Sequence, residues 1–184
     1  LNGSIMHAVS YQSDWYQNEL KKEGGWSLEM TDTRLPCAGI SNWKASSSVT
    51  GGSPGKKNAN DAPLTDQQGP GLKRSYTTDS VTIILVFDEP VDSLSAAVPG
   101  NYRADAGINI LSAICLPPLF QQVQIKTSTA LLQDKIYTIT ASNIKDCKGN
   151  SMGNNNTIRT GLPAEPVPGE WVINTFTDAK RCNS

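Results

Sequence analysis

The sequence predicts an all-β fold whose main part is an antiparallel sandwich over residues 74–162. Short apolar runs recur at near-regular spacing at residues 81–87, 108–114, 120–127 and 135–140. Gly, Pro, Asn and Asp lie between these runs, and this order of strands and turn residues is typical of sandwiches. A fold made of strands and short turns leaves little room for a buried catalytic apparatus, so the sequence favours a scaffold over an enzyme.

The predicted strands have recognisable ends. The run 81–87 is rich in β-branched residues and stops before Pro90, because proline has no N–H to donate to a sheet. A short strand at 101–103 follows a polar loop. The last strand of the sandwich, 135–140, leads to the turn 146–150, whose Asp and Asn side chains we expect to bond to their own backbone.

Composition and charge exclude two classes of function. The chain has 184 residues and a net charge of −1, so it offers no basic face for nucleic acid. No stretch approaches the roughly 18 consecutive apolar residues of a membrane-spanning helix. We therefore expect no nucleic-acid partner and no membrane-spanning segment, while a surface glycan or a protein stays open as a partner.

Four parts follow one another along the chain. Residues 1–58 form a β-domain that holds three of the four tryptophans. Residues 59–73 have the polar, Pro- and Gly-rich composition of a linker, and the sandwich of residues 74–162 comes next. Residues 163–184 are a proline-rich spacer with a terminal strand at 171–176, which we expect to pair with the N-terminal part because a lone strand is rarely stable.

Within the N-terminal part, residues 5–11 and 26–30 are predicted strands. Residues 14–23 are a polar connection or, alternatively, a short helix, although that segment lacks a full apolar stripe. The cluster of glycines at residues 51–55 ends this part in a turn.

The four cysteines are Cys37, Cys115, Cys147 and Cys182, and none forms a C-x-x-C pair. A tetrathiolate zinc site usually needs such pairs, so disulfides are favoured. Cys115 ends one predicted strand and Cys147 lies in the turn after another, which predicts a Cys115–Cys147 bridge and leaves Cys37 and Cys182 over. Four buried thiols are the open alternative.

The sandwich resembles the bacterial Ig-like domain of S-layer and other surface proteins. The residues that carry the resemblance are Phe87-Asp88-Glu89-Pro90-Val91-Asp92, Asn101-Tyr102, Tyr137-Thr138-Ile139-Thr140, Ile144-Lys145-Asp146 and Gly149-Asn150. The resemblance covers about half of the chain and implies an Ig-like sandwich.

Residues 1–58 resemble the closing portion of a lamin-tail-like domain of secreted Bacteroidetes proteins. The residues that carry this resemblance are Gly25-Trp26-Ser27-Leu28-Glu29-Met30, Pro36-Cys37, Asn42-Trp43-Lys44-Ala45-Ser46 and Gly51-Gly52-Ser53-Pro54-Gly55. The opening strand of that family is missing before residue 1, so we expect an incomplete domain, either cut from a longer array or completed by the C-terminal strand. The two resemblances imply an extracellular, cell-surface or periplasmic protein with a non-catalytic role.

We expect no catalytic site and no cofactor. His7 is the one histidine of the chain, and a histidine-dependent site needs it beside a nucleophile and an orienting acid. The sequence brings no such set together, so a structural or surface role for His7 is favoured.

Two weak ligand sites emerge from the pattern. Asp88, Glu89 and Asp92 cluster at a strand end and are candidates for calcium, which binds several convergent oxygens, but turn formation explains them as well. Trp15 and Tyr16 have polar flanks and are the best candidates for an exposed surface that stacks on sugar rings, although aromatic residues more often form the core.

These observations predict a non-enzymatic extracellular module that is adhesive or acts as a structural spacer. The first alternative is a glycan- or calcium-binding accessory module. The second is a piece of a secreted hydrolase or nuclease whose catalytic domain lies outside these residues.

Overall fold

The computed structural model describes residues 8–163 and confirms the all-β prediction, since its strands form three antiparallel sheets. One turn of α-helix, α1, covers Ser93–Ala96. Short 3-10 helices cover Ser13–Tyr16, Lys21–Glu23, Ile40–Asn42 and Pro99–Asn101. The strands of this region are β1 (Leu28–Met30), β2 (Trp43–Ala45), β3 (Leu72–Asp79), β4 (Thr82–Phe87), β5 (Tyr102–Ala104), β6 (Ile110–Leu116), β7 (Gln122–Thr127), β8 (Tyr137–Ala141) and β9 (Thr157–Thr160).

Two of the sheets pack together around one hydrophobic core. The first has the order β3-β4-β7-β6 and the second has the order β5-β8-β9. Ile83 and Val123 from the first sheet and Tyr137 and Ile139 from the second all belong to the same buried cluster. Every residue of β4 is buried.

The sandwich has two poles, and the chain enters it at one and leaves it at the other. β3 begins at Leu72 opposite Phe87, at the end of β4, and the N-terminal residues lie at this pole. β9 ends at Thr160 opposite Tyr137, and the Thr77 hydroxyl donates to the Gly161 carbonyl at 3.3 Å. The chain therefore reaches the sandwich at one pole and leaves it at the other.

The N-terminal part contains a two-stranded sheet whose outer edges are closed by side chains. The amide Nε2 of Gln17 donates to the Trp43 carbonyl at 3.1 Å, and Nδ2 of Asn60 donates to the Ala45 carbonyl at 3.0 Å. Asn58 donates in the same way to the Met30 carbonyl. A pair of three-residue strands is weak alone, and these amides satisfy backbone acceptors that would otherwise be unpaired.

Several predicted elements are shorter than expected. Residues 8–11, the described end of the predicted strand 5–11, form no strand, and the predicted strand 26–30 is regular only over β1. Residues 14–23 contain parts of two 3-10 helices. The predicted terminal strand 171–176 lies outside the described residues.

The prediction of a Cys115–Cys147 disulfide is wrong. Cys147 is bonded to Cys37, with their Cα atoms 5.9 Å apart, and Cys115 is a buried free thiol. The Cys115 sulfur lies 4.0 Å from the Phe120 carbonyl oxygen, within its own sheet, whereas the turn of Cys147 packs against the N-terminal part. Cys182 lies outside the described residues.

Three further contacts fasten residues 66–69, in the segment predicted as a linker, to the pole that carries the Cys37–Cys147 bond, which we call the disulfide pole. The Lys148 ammonium donates to the Asp66 carbonyl, and Nδ2 of Asn150 donates to the Gln68 carbonyl at 3.2 Å. Gly69 lies so close to the backbone that a Cβ there would be 2.1 Å from the Ser151 carbonyl oxygen. A larger residue at position 69 would therefore force the two parts of the chain apart.

Candidate functional site

A cleft of about 690 Å³ lies at the disulfide pole, between the N-terminal part and the sandwich. We call it the joint cleft. Its walls are mostly apolar and come from both sides of the joint. The N-terminal side contributes Trp15, Pro36 and Trp43, and the sandwich contributes Pro90, Pro118 and Phe120.

Trp15 and Trp43 form an aromatic pair in this cleft, with ring centroids 6.4 Å apart and ring planes inclined at 44°. Trp15 is brought there by the short helix Ser13–Tyr16, and Trp43 by the first position of β2. Trp15 and Tyr16 are half-buried rather than fully exposed. The structure thus places Trp15, but not Tyr16, in a cleft wall, and the partner ring of Trp43 was not predicted.

Among the described residues, Asp92 is the one acidic residue in the wall of the joint cleft. Its Oδ2 accepts a hydrogen bond from the Ser95 amide at 2.8 Å, which caps the N-terminus of α1. This cap fixes the position of the carboxylate.

An acidic cluster lies behind Pro90. Carboxylate oxygens of Asp66, Glu89 and Asp146 lie within 4.8 Å of one another. Burial, followed in importance by the negative charges of Asp146, Asp66 and Asp88, raises the pKa of Glu89 to about 8. Glu89 therefore holds a proton at neutral pH, which relieves the repulsion among like charges.

The calcium candidates do not converge on one point. Asp88 accepts from the Gly71 amide at 2.8 Å, and Asp92 caps α1, so both act as backbone partners. Glu89 meets Asp66 and Asp146 instead, and both carboxylate oxygens of Asp146 accept from Asn150. Of the three candidates, only Glu89 therefore belongs to a group of neighbouring carboxylates among the described residues.

No histidine-dependent dyad can form among residues 8–163, because His7 lies outside them. Cys115 is the free thiol of this region. Burial, and to a smaller extent the charge of Asp92, raises the pKa of its thiol to about 11, so it carries almost no thiolate at neutral pH and is a poor nucleophile.

Glu89→Gln should change how stability depends on pH. The pKa of Glu89 is raised in the folded protein from its ordinary value of 4.5 to about 8. The contribution of this side chain to the free energy of unfolding is therefore fully present below about pH 4.5 and is lost as the pH rises through 8. We expect the wild type to lose about 1–2 kcal/mol over this window, a figure reduced because the side chain is partly exposed and screened by solvent. Urea unfolding at pH 5 and pH 8.5 measures this loss in the free energy of unfolding.

The Glu89→Gln variant should lose less stability than the wild type between these two pH values. Glu23→Gln, at an exposed carboxylate, is the matched control and should follow the wild type. Parallel stability curves for Glu89→Gln and wild type would contradict the assignment of the proton to Glu89.

No family model matches the chain, and no curated protein matches it. The resemblances to the bacterial Ig-like and lamin-tail-like families therefore stay predictions. Within residues 8–163, no helix has the length and apolar character needed to cross a membrane.

Among solved structures, the chain is similar in part to bacterial surface-layer proteins. The N-terminal part of the S-layer protein SbsC gives a TM-score of 0.46 and 21% identity over 50% of this chain and 23% of that chain. Domains 1–6 of the surface layer protein SbsC give a TM-score of 0.48 and 21% identity over 53% of this chain and 14% of that chain. The chain thus spans less than a quarter of the length of either structure.

Proposed function

We propose that this chain is a non-enzymatic, extracytoplasmic structural module that acts as a spacer. The observation that carries the proposal is the path of the chain, which reaches the sandwich at the disulfide pole and leaves it at the opposite pole. β4 separates the two poles by about 17–20 Å. A module connected at opposite ends adds its length to an extended array.

The Cys37–Cys147 bond supports the same proposal because it shortens the path of mechanical force. The bonded cysteines are 110 residues apart in sequence, and β2 through β8 lie between them. Tension applied between residues 8 and 163 passes through the disulfide and therefore bypasses these strands. Within the sandwich, β9 is the strand that lies beyond Cys147, so it is the strand on which the applied force acts.

A disulfide also bears on the location of the protein. Such bonds persist in secreted and cell-surface proteins and are rare in the reducing cytosol. This supports an extracellular or cell-surface location.

Single-molecule pulling between residues 8 and 163 tests the spacer proposal. We expect the oxidised protein to extend only by the segments outside the disulfide loop. Reduction should release up to about 380 Å of additional contour length, because 110 residues can each extend by about 3.3–3.6 Å.

Cys115→Ala serves as the control in this experiment, because it removes a thiol that lies outside the bond, and it should behave as the wild type in both redox states. Equal extension with and without reductant would contradict a disulfide that limits the length of the module.

A further inference from the structure

The joint cleft is large enough to hold a ligand, and its composition restricts what that ligand can be. Pockets that bind small molecules or side chains usually measure about 300–1,000 Å³, and this one measures about 690 Å³. Trp15, Trp43 and Phe120 supply aromatic rings to its wall. Prolines and small aliphatic side chains make up most of the rest of the apolar lining.

A ligand cannot bind by adding a strand to β2, although β2 borders the cleft. The carbonyl groups of Trp43 and Ala45 are the outward-facing acceptors of that strand. They already accept hydrogen bonds from Gln17 and Asn60. The ligand must therefore bind through its side chains rather than through backbone pairing.

An apolar cleft disfavours a ligand that brings many hydrogen-bond donors, because each buried donor without a partner costs about 1–3 kcal/mol. Proline has no backbone N–H, so a proline-rich segment can be buried at little cost. Such a segment adopts the polyproline II conformation, which needs no internal hydrogen bonds. Aromatic-lined grooves bind this conformation in other proteins through flat contacts between rings.

Charge adds a second requirement. Asp92 is part of the cleft wall, and Asp66, Asp88 and Asp146 lie around Glu89, the residue before Pro90 of the same wall. The two lysines of the adjoining turn, Lys145 and Lys148, offset only part of this charge, and Lys148 is held by the Asp66 carbonyl. The field at this wall therefore favours a cation over an anion.

We infer that the joint cleft binds a proline-rich peptide segment of another protein, with prolines against Trp15, Trp43 and Phe120 and a basic residue beside Asp92. This goes beyond the spacer role and does not depend on it. A spacer that carries such a site would attach a second protein at the joint between two of its parts.

Isothermal titration with synthetic peptides tests the inference on the oxidised protein. The probe is a blocked decapeptide of alternating proline pairs and leucines with two arginines at one end. Two comparison peptides replace the arginines by glutamates or the prolines by glycine and serine. Cellohexaose is titrated as well, because paired tryptophans also stack on sugars. We expect saturable binding of the arginine peptide and at least about tenfold weaker binding of the other probes.

Two variants locate the binding site. Trp15→Ala should weaken binding about tenfold or more, as expected for a buried aromatic contact, whereas Tyr11→Ala, at an exposed ring outside the cleft, should leave it unchanged. Asp92→Asn keeps the cap on α1, since asparagine also accepts from a backbone amide. It should remove the preference for arginine over glutamate.

Three outcomes would overturn the inference. The first is the absence of saturable binding of the arginine peptide at 1 mM. The second is binding that Trp15→Ala leaves unchanged, which would place the contact elsewhere. The third is tighter binding of cellohexaose than of the peptide, which would make the cleft a glycan site. The pulling experiment on the disulfide is independent of all three.

Discussion

Cys37→Ser is expected to lower the free energy of unfolding by about 4–5 kcal/mol. The bond closes a loop of 110 residues, and the loss of chain entropy in the unfolded state is about 4.7 kcal/mol for a loop of 100 residues. Reduction of the wild type should give the same loss, because both treatments open the same loop. Urea unfolding with and without reductant, followed by tryptophan fluorescence, measures the difference.

The controls distinguish the effect of losing the disulfide from the effect of losing a cysteine side chain. Cys147→Ser should be as unstable as Cys37→Ser, and neither variant should respond to reductant. Cys115→Ala should respond to reductant as strongly as the wild type, since Cys115 lies outside the bond. A wild-type midpoint that is unchanged by reductant would show that the joint is held by packing rather than by the disulfide.

The disulfide matters because the N-terminal part buries few apolar side chains. Ala38, Ala45 and Pro70 are its buried apolar side chains within residues 8–71. The buried polar side chains of the same region are Glu29, Thr31, Asp32, Asn42, Ser46 and Asn60. Burial of apolar area contributes roughly 25 cal/mol per Å², and two alanines and one proline provide little of it. Hydrogen bonds and the covalent link to the sandwich therefore take the place of a hydrophobic core.

Strands in the sandwich core could be predicted because burial determines their residue types. In β4 and β7, Ile83, Leu85, Val123 and Ile125 are all fully buried, and this produces the apolar runs. β3 has a single fully buried residue, Leu72, because it lies at the sheet edge with one face in water. It therefore lacks the pattern, and the sequence places its first residues in the linker.

The joint depends on packing between distant segments, which leaves no local pattern. Asp66 lies in a polar stretch typical of a linker, yet its carboxylate meets Glu89 and Asp146. Three pairings of four cysteines are possible, and spacing does not choose among them. The polar flanks of Trp15 suggested full exposure, but the ring of Trp43 partly covers it. The feature of the sequence that could have pointed to the cleft was the aromatic content of residues 15–43.

Asn42 is the centre of the hydrogen-bond network in the N-terminal part, and its side chain is fully buried. Its Nδ2 donates to the carbonyls of Asp32 and Leu35, each at 2.8 Å, and its Oδ1 accepts from the Asp32 amide at 2.7 Å. These bonds hold the loop between β1 and β2 in place. Arg34 adds two contacts to the Asp32 carboxylate, at 2.8 and 2.9 Å, and they hold the pKa of that carboxyl below its usual range.

Asn42→Ala is expected to destabilise the N-terminal part by about 1–3 kcal/mol, because it leaves the Asp32 amide buried without a partner. The carbonyls of Asp32 and Leu35 each lose one hydrogen bond but still accept from the Leu35 and Ala38 amides. Hydrogen exchange of the Asp32 amide should then accelerate about 10- to 10²-fold, since 1.4 kcal/mol corresponds to tenfold. Amides in β4 and β7 should keep their protection, because their core contains no residue of the N-terminal part. Asn154→Ala, at an exposed asparagine, is the matched control and should exchange as the wild type does. Unchanged exchange at Asp32, or equal acceleration in β4, would contradict a locally stabilised polar network.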